Sequence, residues 1–354
     1  MKRLTNLLLF LILALGFYLM LWPVPIDPVV WTPTPDPGLT GPYAQSSAMP
    51  GLTKLLVEEG LGPEDVTRDA NGTFYTGLQD GRILRFPAEG NSSELFVNTG
   101  GRPLGMQFDA QGMLVVADAF KGLLSITPEG DVTVLTDSVN GKRMVFPDDL
   151  DIAADGTIWF TDASQRFDQH HWIRDFWEAR PTGRLLSYDP ESKQTVVRMT
   201  ELRFANGVAL GPNDEFVLVN ETLARRIWRL WLKGPQVGKR ELFLDGLPGY
   251  PDNLSYNENG TFWVALPAPS SVPLEGMAAR PFLRKLLFRL PERFINVQPP
   301  PVAWALGVDE QGQVRHSLRD ASGTYASVTS VNEFGGHLYL GSIMMKAVAR
   351  VQVP

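Results

Sequence analysis

Gly156-Thr-Ile-Trp-Phe-Thr-Asp162 is a turn glycine followed by β-branched and aromatic residues, the grammar of a strand leaving a tight turn. The phrase recurs as Gly72-Thr-Phe-Tyr-Thr, Gly112-Met-Leu-Val-Val-Ala-Asp118, Asp214-Glu-Phe-Val-Leu-Val-Asn220, Gly260-Thr-Phe-Trp-Val-Ala265 and Gly336-His-Leu-Tyr-Leu-Gly341. A second strand pattern often follows after another turn, as in Gly81-Arg-Ile-Leu-Arg-Phe86, Gly122-Leu-Leu-Ser-Ile126, Gly183-Arg-Leu-Leu-Ser-Tyr188 and Arg226-Ile-Trp-Arg-Leu-Trp231. Six copies within 51–354 give a unit of about 51 residues with several strands each, which predicts an all-β, six-bladed β-propeller. A solenoid of this period would carry helical patterns in each unit, and a two-domain sandwich would not explain six copies in one style.

Composition agrees. The 33 Gly and 28 Pro suit short strands joined by turns. The absence of Cys excludes disulfides, thiolate metal sites and thiol nucleophiles. Four histidines leave little room for a His-rich metal site, and a net charge of −7 argues against nucleic acid as a partner. Ahead of the repeats, residues 4–22 carry no charge and follow Lys2 and Arg3. In helix this stretch spans about 28 Å, close to a bilayer core. No small-residue cleavage site follows it; a Pro-rich stretch does, so residues 1–22 read as an uncleaved transmembrane anchor and 23–50 as an extended stalk. The two basic residues place the N-terminus in the cytoplasm and the propeller outside it.

Successive phrases lie 40, 44, 58, 46 and 76 residues apart, so two units are swollen. The first insertion, 165–181, holds His170 and His171. The second, 268–301, contains Arg280-Pro-Phe-Leu-Arg-Lys-Leu-Leu-Phe-Arg-Leu290. On a helical projection Phe282, Leu283, Leu286, Leu287 and Leu290 share one face, flanked by Arg280, Arg284, Lys285, Arg289 and Arg293. Such a helix (280–293) serves either as a lid packed on the propeller or as a second membrane contact.

Counting back eight residues from each phrase reaches Glu64, Leu104, Asp148, Asn206, Asp252 and Val328. A fixed offset makes these equivalent positions, one per blade, at the start of each innermost strand and therefore around the axis at one end. Four of them offer oxygen. Carboxylates crowded together repel one another and resist desolvation, so a ring of them implies a cation, and Ca2+ is the natural candidate. Turn-capping is the ordinary role of a single Asp or Asn, but it does not explain four at equivalent positions.

With Gly101-Arg-Pro-Leu-Gly105, Phe160-Thr-Asp162-Ala-Ser164, Pro181-Thr-Gly-Arg-Leu185 and Leu247-Pro-Gly-Tyr-Pro-Asp-Asn253, the chain resembles the calcium-dependent six-bladed propellers related to gluconolactonase, paraoxonase and diisopropyl fluorophosphatase. Within them it is most similar to the strictosidine synthase-like branch that includes adipocyte plasma membrane-associated protein. The resemblance covers nearly all of the chain after the stalk. It implies metal ligands at Glu64, Asp148, Asn206 and Asp252. It also implies hydrolysis of a small-molecule ester, lactone or organophosphate, with Asp252 and Glu64 as catalytic carboxylates and Asp252 as nucleophile or base. Asp149, Asn253, Leu104, Thr329, His170 and His171 would lie in the second shell or on the rim. Paraoxonases carry a histidine at the position of Leu104, and the glutamate of strictosidine synthase aligns near Thr329. Neither residue is present, so neither the paraoxonase His mechanism nor alkaloid condensation carries over. Two alternatives stay open: a binding module with a structural metal, and a metal-dependent lyase or isomerase acting on a cyclic substrate.

Overall fold

A computed structural model describes the chain except residues 1, 45–48, 50, 57 and 296–298, and except the side chains of 292 and 293. Parts of the expected stalk and of the second insertion, including the Arg293 side chain, thus lie outside the described residues. Six antiparallel four-stranded sheets follow one another around an axis. Their innermost strands are Val66–Arg68, Pro103–Phe108, Pro147–Ile152, Ala205–Leu210, Leu254–Tyr256 and Val328–Phe334. Each packs against its two neighbours, so the ring is closed. Blade six takes its outermost strand from the other end of the chain: Thr53–Leu55 pairs with Val348–Gln352, with Thr53 opposite Arg350. This clasp joins the two ends of the domain.

The repeated phrase owes its form to local chemistry. Asp69 Oδ1 accepts from the backbone N–H groups of Asn71 and Thr73, Asp109 does so from Gln111 and Met113, and Asn257 from Asn259 and Thr261. The side chain thereby closes the turn between the first and second strands, and the glycine that follows takes the left-handed conformation (Gly72 φ 90°, Gly112 φ 79°, Gly260 φ 86°). The apolar run then enters the blade interior: Leu114–Asp118, Ile158–Asp162 and Phe216–Glu221 are buried throughout. The outer strand Gln194–Leu202 alternates toward solvent along its first half.

Pro147, at the start of an innermost strand, pairs with Asp162, at the end of the second. The starts of the innermost strands and the connections between second and third strands therefore share one pole. Both insertions are such connections, in blades three and five, so both sit at the pole of Glu64 and its equivalents. They form a helical cap of α2 (Trp172–Glu178), α3 (Val272–Gly276), α4 (Pro281–Leu287) and α5 (Glu292–Ile295).

The long N-terminal helix α1 (Lys2–Leu21) buries none of its side chains and has the length and composition of a membrane span. The segment after it is not a free stalk. Its backbone is tied to the cap through Val29 N–H to the Glu178 carbonyl (3.0 Å) and Trp31 N–H to the Ala278 carbonyl (3.4 Å). Ile26 and Trp31 are buried. The segment is a strap lying across the pole.

The helical projection of 280–293 also needs correction. Helix α4 is short, and it turns Arg284, Leu287 and the following Phe288 inward, against Ile26 and Trp177 on the strap and α2. Arg284 is fully buried rather than flanking, and Phe282 is 59% exposed.

Candidate functional site

At the capped pole, Glu64, Asp148 and Asn206 are buried, while Asp252 keeps a partial opening. Each stands at or just before the start of an innermost strand, as the offset requires. Their interactions bring them together. Burial is the largest cause holding the Glu64 carboxyl well above its ordinary range, followed by repulsion from Asp252 and Asp148. Asp148 is raised by burial and then by Asp252 and Asp149. Burial pushes Asp252 up to about 7 against the hydrogen bond from Asn206, which holds it down. The expected apolar members, Leu104 and Val328, are buried at the two remaining positions.

The donor set fits a hard cation. Among the described residues Glu64 Oε2 and Asn206 Oδ1 are buried with no hydrogen-bond partner, as are Asn220 Oδ1 and Asn253 Oδ1 beside them. Four unpartnered oxygens in one region are what an oxygen-liganded ion would satisfy. Among the described residues no three His, Asp or Glu side chains are close enough to hold a metal by themselves.

Supporting contacts fix these groups. Asn253 Nδ2 donates to Glu64 Oε1 (3.1 Å), and the Thr329 hydroxyl donates to the Glu64 carbonyl (2.7 Å). Asn220 Nδ2 donates to the Asp252 carbonyl. Gly207 has to be glycine here, because a methyl group would meet the Asp252 carbonyl at 2.4 Å and Asn220 Nδ2 at 2.6 Å. Asp149, expected in the second shell or on the rim, lies beside Asp148 and latches neighbouring blades: its Oδ2 accepts from Val208 N–H (2.9 Å), as Asp65 does from Met106 N–H (3.0 Å). These latches border a cavity of about 440 Å³ that runs to the opposite pole past Asp151, Asn332 and Glu333. His170 and His171 do not join the acids. His170 is exposed and stacks on Phe120, and His171 pairs with Asp168 at 2.6 Å.

Sequence reasoning missed two features that the same counting would reach. Two residues before each ring position stand Gly62, Arg102, Phe146, Phe204, Tyr250 and Ala326. Arg102 is buried, donates Nη1 to the Gly62 carbonyl (2.9 Å) and leaves Nε and Nη2 without partners among the described residues. Burial lowers its pKa while Glu64 and Asp148 oppose that shift, so one cation stands beside the acids. Phe146, Phe204 and Tyr250 form an aromatic collar, with rings 5.4 Å apart for Phe146–Phe204. Phe176 of α2 packs edge-on against Phe204 (5.1 Å) and Tyr250 (5.9 Å), and Trp31 of the strap joins the same apolar cluster.

Beside the collar, Asp175 accepts from the Ser164 hydroxyl, and burial is the largest cause raising its carboxyl to about 7. The unfolded chain releases this proton near 3.8, so between the two values the folded state holds a proton that the unfolded state has lost. Stability therefore falls as pH rises from about 4 to 7 and is level above. Asp175→Asn should abolish the penalty, worth roughly 4 kcal/mol at most. Thermal unfolding should show the variant gaining more near pH 8 than near pH 5; an equal change at both would refute the account.

A closed six-bladed propeller with an oxygen-rich ring at one pole is the class that fold and site define. Similarity to known proteins agrees. Residues 148–235 match the family described as strictosidine synthase, and residues 41–86 match the N-terminal region of strictosidine synthase-like proteins. Adipocyte plasma membrane-associated protein of Salmo salar is 34% identical over 94% of this chain and 85% of its own. Strictosidine synthase-like protein 4 of Arabidopsis thaliana is 34% identical over 93% and 88%. The chain belongs to this strictosidine synthase-like family. Among solved structures, a gluconolactonase of Xanthomonas campestris superposes with a TM-score of 0.64 at 16% identity, covering 94% of this chain and 99% of that one. The calcium-binding protein regucalcin of Agrobacterium tumefaciens superposes with a TM-score of 0.58 at 14% identity, covering 84% and 92%. At such identities the likeness is one of fold.

Proposed function

We propose that the protein is a calcium-dependent hydrolase of esters or lactones, anchored by α1 with its N-terminus in the cytoplasm and the propeller on the other side of the membrane. One observation carries the reading: Glu64, Asp148, Asn206 and Asp252 converge from four blades with buried Glu64 Oε2 and Asn206 Oδ1 unpartnered. These four residues would hold the ion. When bound, it would polarise a carbonyl and stabilise the charge that develops on its oxygen. Asp252, the partly open member, is placed to act as nucleophile toward the carbonyl carbon or as base toward water. Asn253 and Thr329 orient Glu64, and Asn220 fixes the backbone under Asp252. The collar excludes water and favours an apolar acyl or leaving group.

Turnover of a panel of aryl esters and lactones by the full chain in detergent should vanish with chelator and return with Ca2+. Chelation should also lower the melting temperature more near pH 8 than near pH 5. The sign follows from Asp252: with a folded pKa of about 7, its carboxyl is neutral at the lower pH and costs little without an ion, whereas at the higher pH it is charged and buried. Metal bound without turnover on any ester or lactone would favour the alternative in which the ion only staples the blades, which the covered collar also supports.

A further inference from the structure

We propose that the outer surface of the cap rests in the head-group layer of the phospholipid bilayer that α1 enters, so that the pole carrying the acid ring faces the membrane. Three observations converge on this. First, α1 is joined to the cap directly and not through a loose tether. The Tyr18 hydroxyl donates to the Arg289 carbonyl (2.9 Å), Arg289 Nε donates to the Trp22 carbonyl (2.5 Å), and Asp27 pairs with Lys285 and Arg180, each at 2.8 Å. The membrane end of α1 is thus held within one side chain of α4.

Second, helix geometry sets which side of α4 meets it. Arg284, Leu287 and Phe288 point into the protein. At 100° per residue Phe282 then lies on the opposite, outer face with Lys285 at its edge, and Arg289, just past the helix end, reaches Trp22 at the end of α1.

Third, that outer surface is apolar in the way a soluble surface seldom is. Phe282 is 59% exposed, Val272 at the start of α3 76%, Val30 on the strap 62% and Trp22 at the end of α1 59%. Val30 points outward because its neighbour Trp31 points inward along an extended segment. Arg280 is exposed among them, and Arg289 meets only carbonyls, with no acidic partner among the described residues. Exposed apolar side chains interleaved with unneutralised arginines match the boundary between acyl chains and phosphates. Of the residues a helical projection selects, Phe282 stays in the contact and Leu287 is inside; Val272 and Val30 join Phe282 from outside that helix.

The absence of cysteine makes a direct test clean. Single-cysteine variants Phe282→Cys, Val272→Cys and, as control, Gln111→Cys at the opposite pole would carry a nitroxide on the full chain in vesicles of phosphatidylcholine and phosphatidylglycerol. All three positions are exposed, so labelling should leave the fold intact. Probes at 282 and 272 should be more accessible to oxygen than to a water-soluble nickel chelate, with 111 showing the reverse. A 282 probe as accessible to the chelate as 111 would overturn the proposal. So would one shielded from both reagents, which would mean that protein covers the face. The readout involves no turnover, so it stands or falls separately from the hydrolase reading.

Discussion

Asp252→Asn should lower kcat on esters or lactones by about 10²–10⁴-fold, the usual effect of losing a positioned general base. The substitution keeps shape and one oxygen, so it separates two roles that the acid ring leaves entangled. If Asp252 only helps to hold the ion, activity returns when Ca2+ is raised to saturation. If it attacks carbon or takes a proton from water, kcat stays low at saturation while KM changes little. Without metal the variant should be more stable than the parent near pH 8. A carboxyl whose folded pKa is about 7, well above its ordinary 3.8, is held in its charged form at a cost there, and the amide has no charge to bury. Full activity at all Ca2+ concentrations would remove Asp252 from the chemistry.

Some parts of this molecule are written in short stretches of sequence and others are not. The turn at 69–73 is closed by its own Asp69 and the phrase after it is local, so six copies could be counted. A propeller repeats its geometry, so one offset led from those phrases to Glu64, Asp148, Asn206 and Asp252. A second offset, two residues shorter of the ring, would have led to Arg102 and the aromatic collar. The latch made by Asp149 is not legible locally, because its partner, Val208 N–H, belongs to the next blade, 59 residues on. The strand Thr53–Leu55 was invisible as part of blade six, since its partner lies at the far end of the chain. On the sequence Arg284 only flanks the apolar face of its helix; what buries it comes from segments up to 255 residues away.

Arg284→Met should destabilise the cap by about 3–5 kcal/mol, the range seen when one partner of a buried charged network is removed. Arg284 is fully buried and has no carboxylate partner among the described residues. Its Nη1 donates to the carbonyls of Trp177 (3.0 Å) and Glu178 (3.3 Å), the last residues of α2, where orphan carbonyls and the helix dipole favour a cation. Its Nη2 donates to the carbonyls of Val29 on the strap and Ala278 after α3 (3.1 Å). Burial lowers its pKa only to about 10, so the guanidinium stays charged at neutral pH. Methionine fills similar space but takes the donor from the Trp177 and Val29 carbonyls, and leaves those of Glu178 and Ala278 only the strap amides of Val29 and Trp31. The loss should be local: Trp31 and the strap should release from the collar while the blades, closed by the Thr53–Leu55 clasp, stay folded. Limited proteolysis should then cut within 23–43 well before the propeller, and hydrogen exchange at the Val29 and Trp31 amides should accelerate. Arg284→Lys should rescue only partly, because an ammonium has three donors and no planar fork to reach both sides at once. If strap and blades instead unfold together in one transition, the cap is part of the propeller's cooperative core and not a separable cover over the acid ring.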